Sequence, residues 1–425
     1  MRRRLRIITL MFLVLSSVIF FQEVQLVKGA TGDTLWSKTY GGVNREHCYS
    51  LIQASDGGFA LAGMTASSGA GSGDFFLVKT DSAGNQQWSK TYGSISYEQA
   101  FCVIQTNDAG YALAGYSYSN VGDVWLVKTD TSVMQSWNKS YGGTLDDVAW
   151  SVIQTDDGGY ALAGMTSSFG AGGYDFWLIK TDANGNHLWN KAYGGMRDEY
   201  AYSMIQTNDG GYILAGTTTS FGAGYRDFWV VKTDVNGNQL WNFTCGRNED
   251  DWINSIVKTA DGGYALAGVI NSPSNADYWL VKIDGSGKQL WNKSYGGIYM
   301  DVGWSLIQTS DNGFVFAGST SSYGAGKNDS LLIRTDSLGN QLWNRTYGGT
   351  QDDYTWSIGN INDGSYIIGG DTASYGAGNL DCWLVKVSGD PVIPEFSSWI
   401  MAFIFVLSTL SLFVLSRRRN THNKQ

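Results

Sequence analysis

The sequence predicts an all-β protein, a seven-bladed β-propeller of four-stranded blades, and three observations carry the prediction. The first is a long-period repeat: Trp36, Trp88, Trp137, Trp189, Trp241, Trp291 and Trp343 are separated by 52, 49, 52, 52, 50 and 52 residues. Periods of this length belong to propellers and related repeat architectures. The second is that each unit holds four short runs rich in aromatic and β-branched residues and bounded by Gly, Asn or Asp, the pattern of antiparallel strands. The third is composition: 55 Gly, 3 Pro, 14% aromatic and 16% charged residues suit tight turns between short strands, not helices or disorder.

Residues 1–30 read as a signal peptide. Arg2, Arg3, Arg4 and Arg6 precede an apolar run at 7–21, and Gly29 and Ala30 offer a cleavage point. The repeats fill residues 31–390. In the third unit, strands a to d are expected at 149–154, 159–165, 176–181 and 187–193, with strand a nearest the axis. Asp-Gly-Gly at 157–159 joins a to b and Asp-Ala-Asn-Gly-Asn at 182–186 joins c to d; both are turn sequences that supply a residue at positive φ. These turns share one face. The longer d–a loops (YGGxxxD) and b–c loops (SSFGAGxxD) share the other, which with the channel mouth is the expected binding surface.

A solenoid would need capping units, and no copy is degenerate enough to be one. Ring closure is expected instead: a strand at 33–40 precedes the first strand a, and the last copy ends on the strand at 383–387. The N-terminal strand then completes the last blade and removes an exposed edge. Residues 391–398 form a linker containing Pro391 and Pro394, and 399–416 form a C-terminal transmembrane anchor. Arg417, Arg418 and Arg419 open a basic tail, 417–425, expected on the cytoplasmic side.

The whole chain carries a net charge of −9, but the basic residues concentrate in residues 1–30 and 399–425, and the part between them is −17. Such a surface repels phosphate backbones, which excludes nucleic acid as a partner. Four cysteines, Cys48, Cys102, Cys245 and Cys382, occupy different positions in their repeats. They make no disulfide framework; the reading is buried free thiols, with a Cys48–Cys102 bridge between neighbouring blades as the alternative.

Two acidic positions recur. Glu46, Glu98, Asp147, Glu199, Asp251, Asp301 and Asp353 follow the YGG tyrosine position by six residues, and Asp74, Asp123, Asp175, Asp227, Asp277, Asp329 and Asp381 open strand c. A carboxylate ring at a channel mouth could take Ca²⁺ or a cationic ligand. Recurrence in all seven blades favours a structural role, each carboxylate pinning its own loop through backbone amides, and no cofactor is expected. The D-x-N-G-N turns lack the twelve-residue spacing of calcium loops, so no metal ligand is assigned.

Strand a begins with an aromatic at Tyr49, Phe101, Trp150, Tyr202, Trp304 and Trp356, with Asn254 the exception; inter-blade packing is the expected role. The loop aromatics Phe169, Phe221, Tyr323 and Tyr375 are the better candidates for binding a saccharide or peptide. Catalysis has little support: of three histidines, His47, His187 and His422, none belongs to a recognisable Ser/His/Asp set or zinc spacing. Sequons at Asn138, Asn242, Asn292, Asn328 and Asn344 are glycosylation candidates, four of them directly after the strand-d tryptophan.

The unit W-x-x-x-Y-G-G … D-G-G-Y-x-L-A-G … W-L-V-K-T-D-x-x-G-N resembles secreted bacterial and archaeal propeller-repeat proteins across about 355 residues and all seven copies. Pro394, Glu395 and Phe396, before the apolar span and Arg cluster, look like the PEF-type sorting signal of archaeal surface proteins. That resemblance implies an archaeosortase as a partner, which removes the tail and attaches a lipid. Asp234, Gly237 and Trp241 are similar to the pattern of quinoprotein propellers, with one residue fewer between Asp and Trp and no evident cofactor residues. The expected function is therefore a non-catalytic, cell-surface binding or scaffold module for an extracellular glycan, polymer or envelope protein. The alternatives are a polysaccharide hydrolase or lyase using channel-mouth carboxylates, or a quinoprotein-like propeller.

Overall fold

The computed structural model describes residues 33–118, 121–272, 275–361 and 363–389. The expected signal peptide, the linker with its Pro394–Phe396 signal, the anchor and the basic tail lie outside the described residues. Among the described residues no helix is long and apolar enough to cross a membrane.

Thr34–Val387 forms one unit of 28 strands in seven four-stranded antiparallel sheets, the seven blades expected. In blade 3 strands a to d are Asp147–Gln154, Tyr160–Thr166, Asp175–Thr181 and His187–Tyr193. The turns form where the sequence places them: Gly158 and Gly185 take φ of 80° and 72°, which glycine adopts without steric cost. Asp182 Oδ1 accepts the Asn184 and Asn186 amides at 2.9 and 2.8 Å, an Asx-type turn that accounts for D-x-N-G-N without a metal. The ring closes as expected: β1 (Thr34–Tyr40) pairs antiparallel with β28 (Asp381–Val387), Tyr40 opposite Cys382.

The core lies between blades rather than within one. Strands b and c are covered on both faces, so they read as continuous apolar runs instead of alternating ones; in blade 1, Phe59–Thr65 and Asp74–Thr80 are buried throughout. Ala60, Ala62, Phe75 and Leu77 of blade 1 pack on Tyr111, Leu113, Trp125 and Val127 of blade 2. Blade 3 meets blade 4 likewise through Ala161, Ala163, Phe176 and Leu178 against Tyr212, Leu214, Trp229 and Val231. The A-L-A alternation thus gives strand b one small and one large face, and each fully buried large side chain contributes about 1.5–3 kcal/mol.

Strand d closes each joint. The Tyr141 hydroxyl donates to Gly185 O at 2.7 Å, and a Cβ on Gly185 would strike the Trp137 ring. Tyr193 and Trp189 treat Gly237 the same way. The W-x-x-x-Y and D-x-x-G-N motifs are therefore two halves of one inter-blade contact, and the Asp234–Gly237–Trp241 pattern is used up in such contacts. On the turn face, buried strand-c cations reach back to the a–b turn, as in Lys79–Asp56 at 2.7 Å, Lys180–Asp157 at 2.8 Å and Arg334–Asp311 at 2.6 Å.

The cysteine reading needs correction. Cys48 on strand a of blade 1 is bonded to Cys382 on strand c of blade 7, Cα–Cα 5.2 Å, across 334 residues of sequence. At other junctions this location holds a small–large pair, such as Ala100 with Phe75 or Ala201 with Phe176, so the two side chains already face each other. Cys102 lies two positions beyond Ala100 and its thiol points to Val152 O at 3.8 Å, towards blade 3. Cys102 and Cys245 are free.

Candidate functional site at the loop-rich face

In a meander running a to d from the axis outward, the d–a and b–c loops necessarily emerge on one face. At their base sit the recurrent carboxylates, Glu46, Asp147, Glu199, Asp251, Asp301 and Asp353 at 0% exposure and Glu98 at 1%. Each takes the amide that follows the first glycine of the d–a loop, as in Gly143 N to Asp147 Oδ2 at 2.9 Å, Gly195 N to Glu199 Oε2 at 2.8 Å and Arg247 N to Asp251 Oδ2 at 2.6 Å. The Thr218 hydroxyl adds a second donor to Glu199 at 2.8 Å. The strand-c aspartates hold the other loop: Asp175 Oδ2 accepts Ala171 N at 2.9 Å and Asp227 Oδ2 accepts Gly224 N at 2.8 Å.

The two carboxylate rings meet at the YGG glycines. A Cβ on Gly194 would strike both Asp175 Oδ1 and Glu199 Oε2, which is why only glycine fits between them. Burial, and then the neighbouring Glu199 charge, push the Asp175 carboxyl above the usual carboxylate range. These groups fix the loops and do not face solvent. Among the described residues no cluster of three or more His, Cys, Asp or Glu is arranged to hold a metal ion.

The channel wall is built by a feature the sequence only hinted at. Every strand a carries a β-bulge, and the residue skipped in its register is Tyr49, Phe101, Trp150, Tyr202, Asn254, Trp304 or Trp356. A bulge re-aims its side chain, and these residues form a partly buried collar. Their rings contact across blade boundaries: Trp356–Tyr49 at 5.6 Å, Tyr49–Phe101 at 5.3 Å, Phe101–Trp150 at 6.2 Å, Trp150–Tyr202 at 4.9 Å and Trp304–Trp356 at 4.7 Å. Asn254 interrupts the circuit and donates to Gly303 O at 2.8 Å. The following serine ties blades together near the axis: Val103 N donates to Ser50 Oγ at 3.1 Å and Ile358 N to Ser305 Oγ at 3.2 Å. The serine after the aromatic in each strand a, replaced by Cys102 in blade 2, was the available signal and was not read.

One junction departs from this symmetry. Asp371, fully buried in strand b of blade 7, accepts bonds from Cys48 N at 2.8 Å and Trp356 Nε1 at 2.7 Å and faces His47 Nδ1 at 2.7 Å. The His47 ring stacks on Tyr49 at 5.4 Å. The pair sits beside the disulfide, so it helps seal the closing junction.

The loop aromatics are not gathered into one site. Phe169, Phe221 and Tyr375 each cover the strand-c tryptophan of their own blade, at 5.5, 5.2 and 6.1 Å from Trp177, Trp229 and Trp383. The Tyr323 and Tyr375 hydroxyls donate to Gly296 O and Gly348 O at 2.8 and 2.9 Å. The four rings stay about half-exposed on blades 3, 4, 6 and 7. Of the sequons, Asn138, Asn242, Asn292 and Asn344 are exposed on strand d, while Asn328 Nδ2 donates to Asp352 Oδ1 at 3.0 Å.

What the sequence reading missed is the set of d–a loop tips. Val43, Ile95, Leu145, Met196 and Ile298 protrude from d–a loops of the loop-rich face at 53–89% exposure. Isolated exposed apolar residues need no explanation, but a set of them on one face marks an interaction surface.

Fold and face together define a β-propeller that presents one loop-rich surface around an aromatic-lined channel. The Pan2 WD40 domain of Neurospora crassa is similar in structure, with a TM-score of 0.53 at 10% identity over 84% of this chain and 95% of that one. A protein of unknown function from Dyadobacter fermentans gives 0.49 at 11% identity, covering 84% and 99%. Sqt1 of Chaetomium thermophilum, bound to the N-terminus of ribosomal protein L10, gives 0.48 at 11%, covering 84% and 100%. The likeness to the Pan2 domain is one of fold alone. No protein-family model matches the chain, and no curated protein matches it.

Proposed function

We propose that this chain is a non-catalytic binding module, exported and held at the cell surface by its C-terminal segment, that takes an extracellular glycan, polymer or envelope protein on its loop-rich face. In the same reading the Pro394, Glu395 and Phe396 signal hands the chain to an archaeosortase. The observation that carries the proposal is the set of exposed aliphatic tips, Val43, Ile95, Leu145, Met196 and Ile298, on the d–a loops of the loop-rich face. The carboxylates a hydrolase would need support it from the other side. They are buried and accept loop amides, so they do not reach a substrate in the channel. The reading also accounts for the −17 charge of the body, which keeps a surface protein soluble and off nucleic acid.

The test is saturable binding of the detergent-solubilised full chain to envelope particles from cells lacking it. Val43→Asp together with Met196→Asp should abolish binding while leaving thermal stability unchanged, since both side chains are exposed. Undiminished binding by that variant would overturn the proposal.

A further inference from the structure

Sevenfold features are explained by packing, so departures from the repeat point to something else, and several fall on blade 5. Its strand a is Trp252–Lys258, where Asn254 stands in place of the collar aromatic. The long SSFGAG connection is absent. Instead strands Tyr264–Ser272 and Asn275–Ile283 run on as a hairpin with Ser272 opposite Asn275. Blade 2 also lacks the long loop, but fills the space with stacked rings, Tyr116 lying 5.8 Å from Phe101 and 6.1 Å from Tyr97. In blade 5 the space is open: a cleft of about 750 Å³ on the loop-rich face, lined among others by Tyr225, Glu249, Asp250, Asn275, Tyr299 and Met300. That volume lies within the range of small-ligand sites.

The Asp250 carboxylate of this cleft lacks the backbone donor that its counterparts in other blades have. Asp146, Asp198 and Asp352, the counterparts of Asp250, accept backbone amides from Gly122, Tyr174 and Asn328 at 2.9, 3.1 and 3.2 Å. No described residue donates to the Asp250 or Glu249 carboxylate. Asn275 donates through Nδ2 to Asp277 Oδ1 at 2.9 Å and Gly297 O at 2.7 Å, while its Oδ1 is buried with no donor. Tyr225 and Tyr299 offer rings that are 74% and 59% exposed.

We infer that the blade-5 cleft is a saccharide site that takes a neutral pyranose unit of an extracellular polysaccharide; this rests on the binding reading above and gives it a ligand class. A pyranose presents apolar C–H faces to the tyrosines and a ring of hydroxyls to Glu249 and Asp250. A basic peptide fits less well. Arg226 and Arg247 stand next to Tyr225 and in the Glu249 loop, offsetting the acidic charge a cation would seek.

The experiment screens the detergent-solubilised full chain on an array of neutral oligosaccharides (glucan, mannan, galactan and chitin fragments), then titrates the retained one by calorimetry. Tyr225→Ala and Tyr299→Ala should each weaken its Kd about tenfold or more, and Asp250→Asn should weaken it too. Leu188→Ala, exposed on strand d of blade 3, should leave it within about twofold. Sugar binding that survives the two tyrosine substitutions and is lost in Phe169→Ala or Tyr49→Ala would overturn the cleft but not the binding reading. An empty array alongside undiminished binding to envelope particles would overturn the saccharide class. Loss of both would overturn the binding reading itself.

Discussion

Removing the Cys48–Cys382 bond should lower the unfolding free energy by about 3–5 kcal/mol. The bond joins blades 1 and 7 across 334 residues, so in the unfolded chain it closes a loop spanning nearly the whole propeller. The chain-entropy expression for a loop of that length gives about 6 kcal/mol at 25 °C. Residual denatured-state structure reduces this, because a compact unfolded chain has less freedom to lose. The native state changes little, since β1 still pairs with β28 through the register from Thr34 to Tyr40. The perturbation is Cys48→Ala with Cys382→Ala, and the assay is guanidinium unfolding followed by tryptophan fluorescence, with and without reductant. Wild type should lose stability on reduction, and the double variant should be weakened already and indifferent to reductant. Coincident midpoints for oxidised wild type and the variant would refute the reasoning, because no cross-link of this span could then exist in the folded protein.

Three further outcomes follow from the same physics. Ala109, exposed in the a–b turn of blade 2, sits at φ 62° where most repeats have glycine; Ala109→Gly should stabilise by about 1 kcal/mol, read as a higher guanidinium midpoint. Tyr193→Phe removes the 2.6 Å bond to buried Gly237 O and should cost about 1–3 kcal/mol, with Tyr141→Phe behaving alike. The pH profile should have two limbs. Burial and Glu199 raise the folded-state pKa of Asp175, so its contribution is fully present below the unfolded value near about 4 and is lost as pH rises through the folded value. Hydrogen bonds from Thr207 and Lys232 hold Asp209 down to about 2; its contribution is present above the unfolded value and lost as pH falls through the folded one. Tm should therefore rise as pH falls through the folded value of Asp175 and drop between about pH 4 and 2. A monotonic fall from pH 7 downwards, measured by calorimetry, would contradict the paired-carboxylate geometry.

The blade count, the strand order, the two turn types and the closing strand were legible because each depends on local pattern: Asp157–Gly159 makes its turn from its own atoms, and every strand b opens on an apolar run such as the A-L-A of blades 1, 2, 3 and 5. The disulfide was not, because Cys48 and Cys382 become neighbours only when the ring closes. The clue was positional, since they replace the small–large pair that Ala100 and Phe75 form at the next junction. Asp371 and His47 are hidden for the same reason. The blade-5 cleft depends on what is absent, a shortened loop and a missing ring, and repeat logic reads what recurs. Phe169, Phe221, Tyr323 and Tyr375 lie in the b–c loops, and a strand-c tryptophan beneath Phe169, Phe221 and Tyr375 takes one side of those rings.

The central claim is that the loop-rich face is the one that binds, and the methionines supply an internal control. Met196 and Met300 lie in d–a loops at 80% and 55% exposure, and Met134 lies on the opposite face in a c–d turn at 61%. Hydroxyl-radical footprinting of the full chain, free and bound to envelope particles, reads their oxidation by mass spectrometry. The account predicts that Met196 and Met300 are protected on binding while Met134 oxidises at its free rate. Protection of Met134 with Met196 and Met300 unchanged would contradict it.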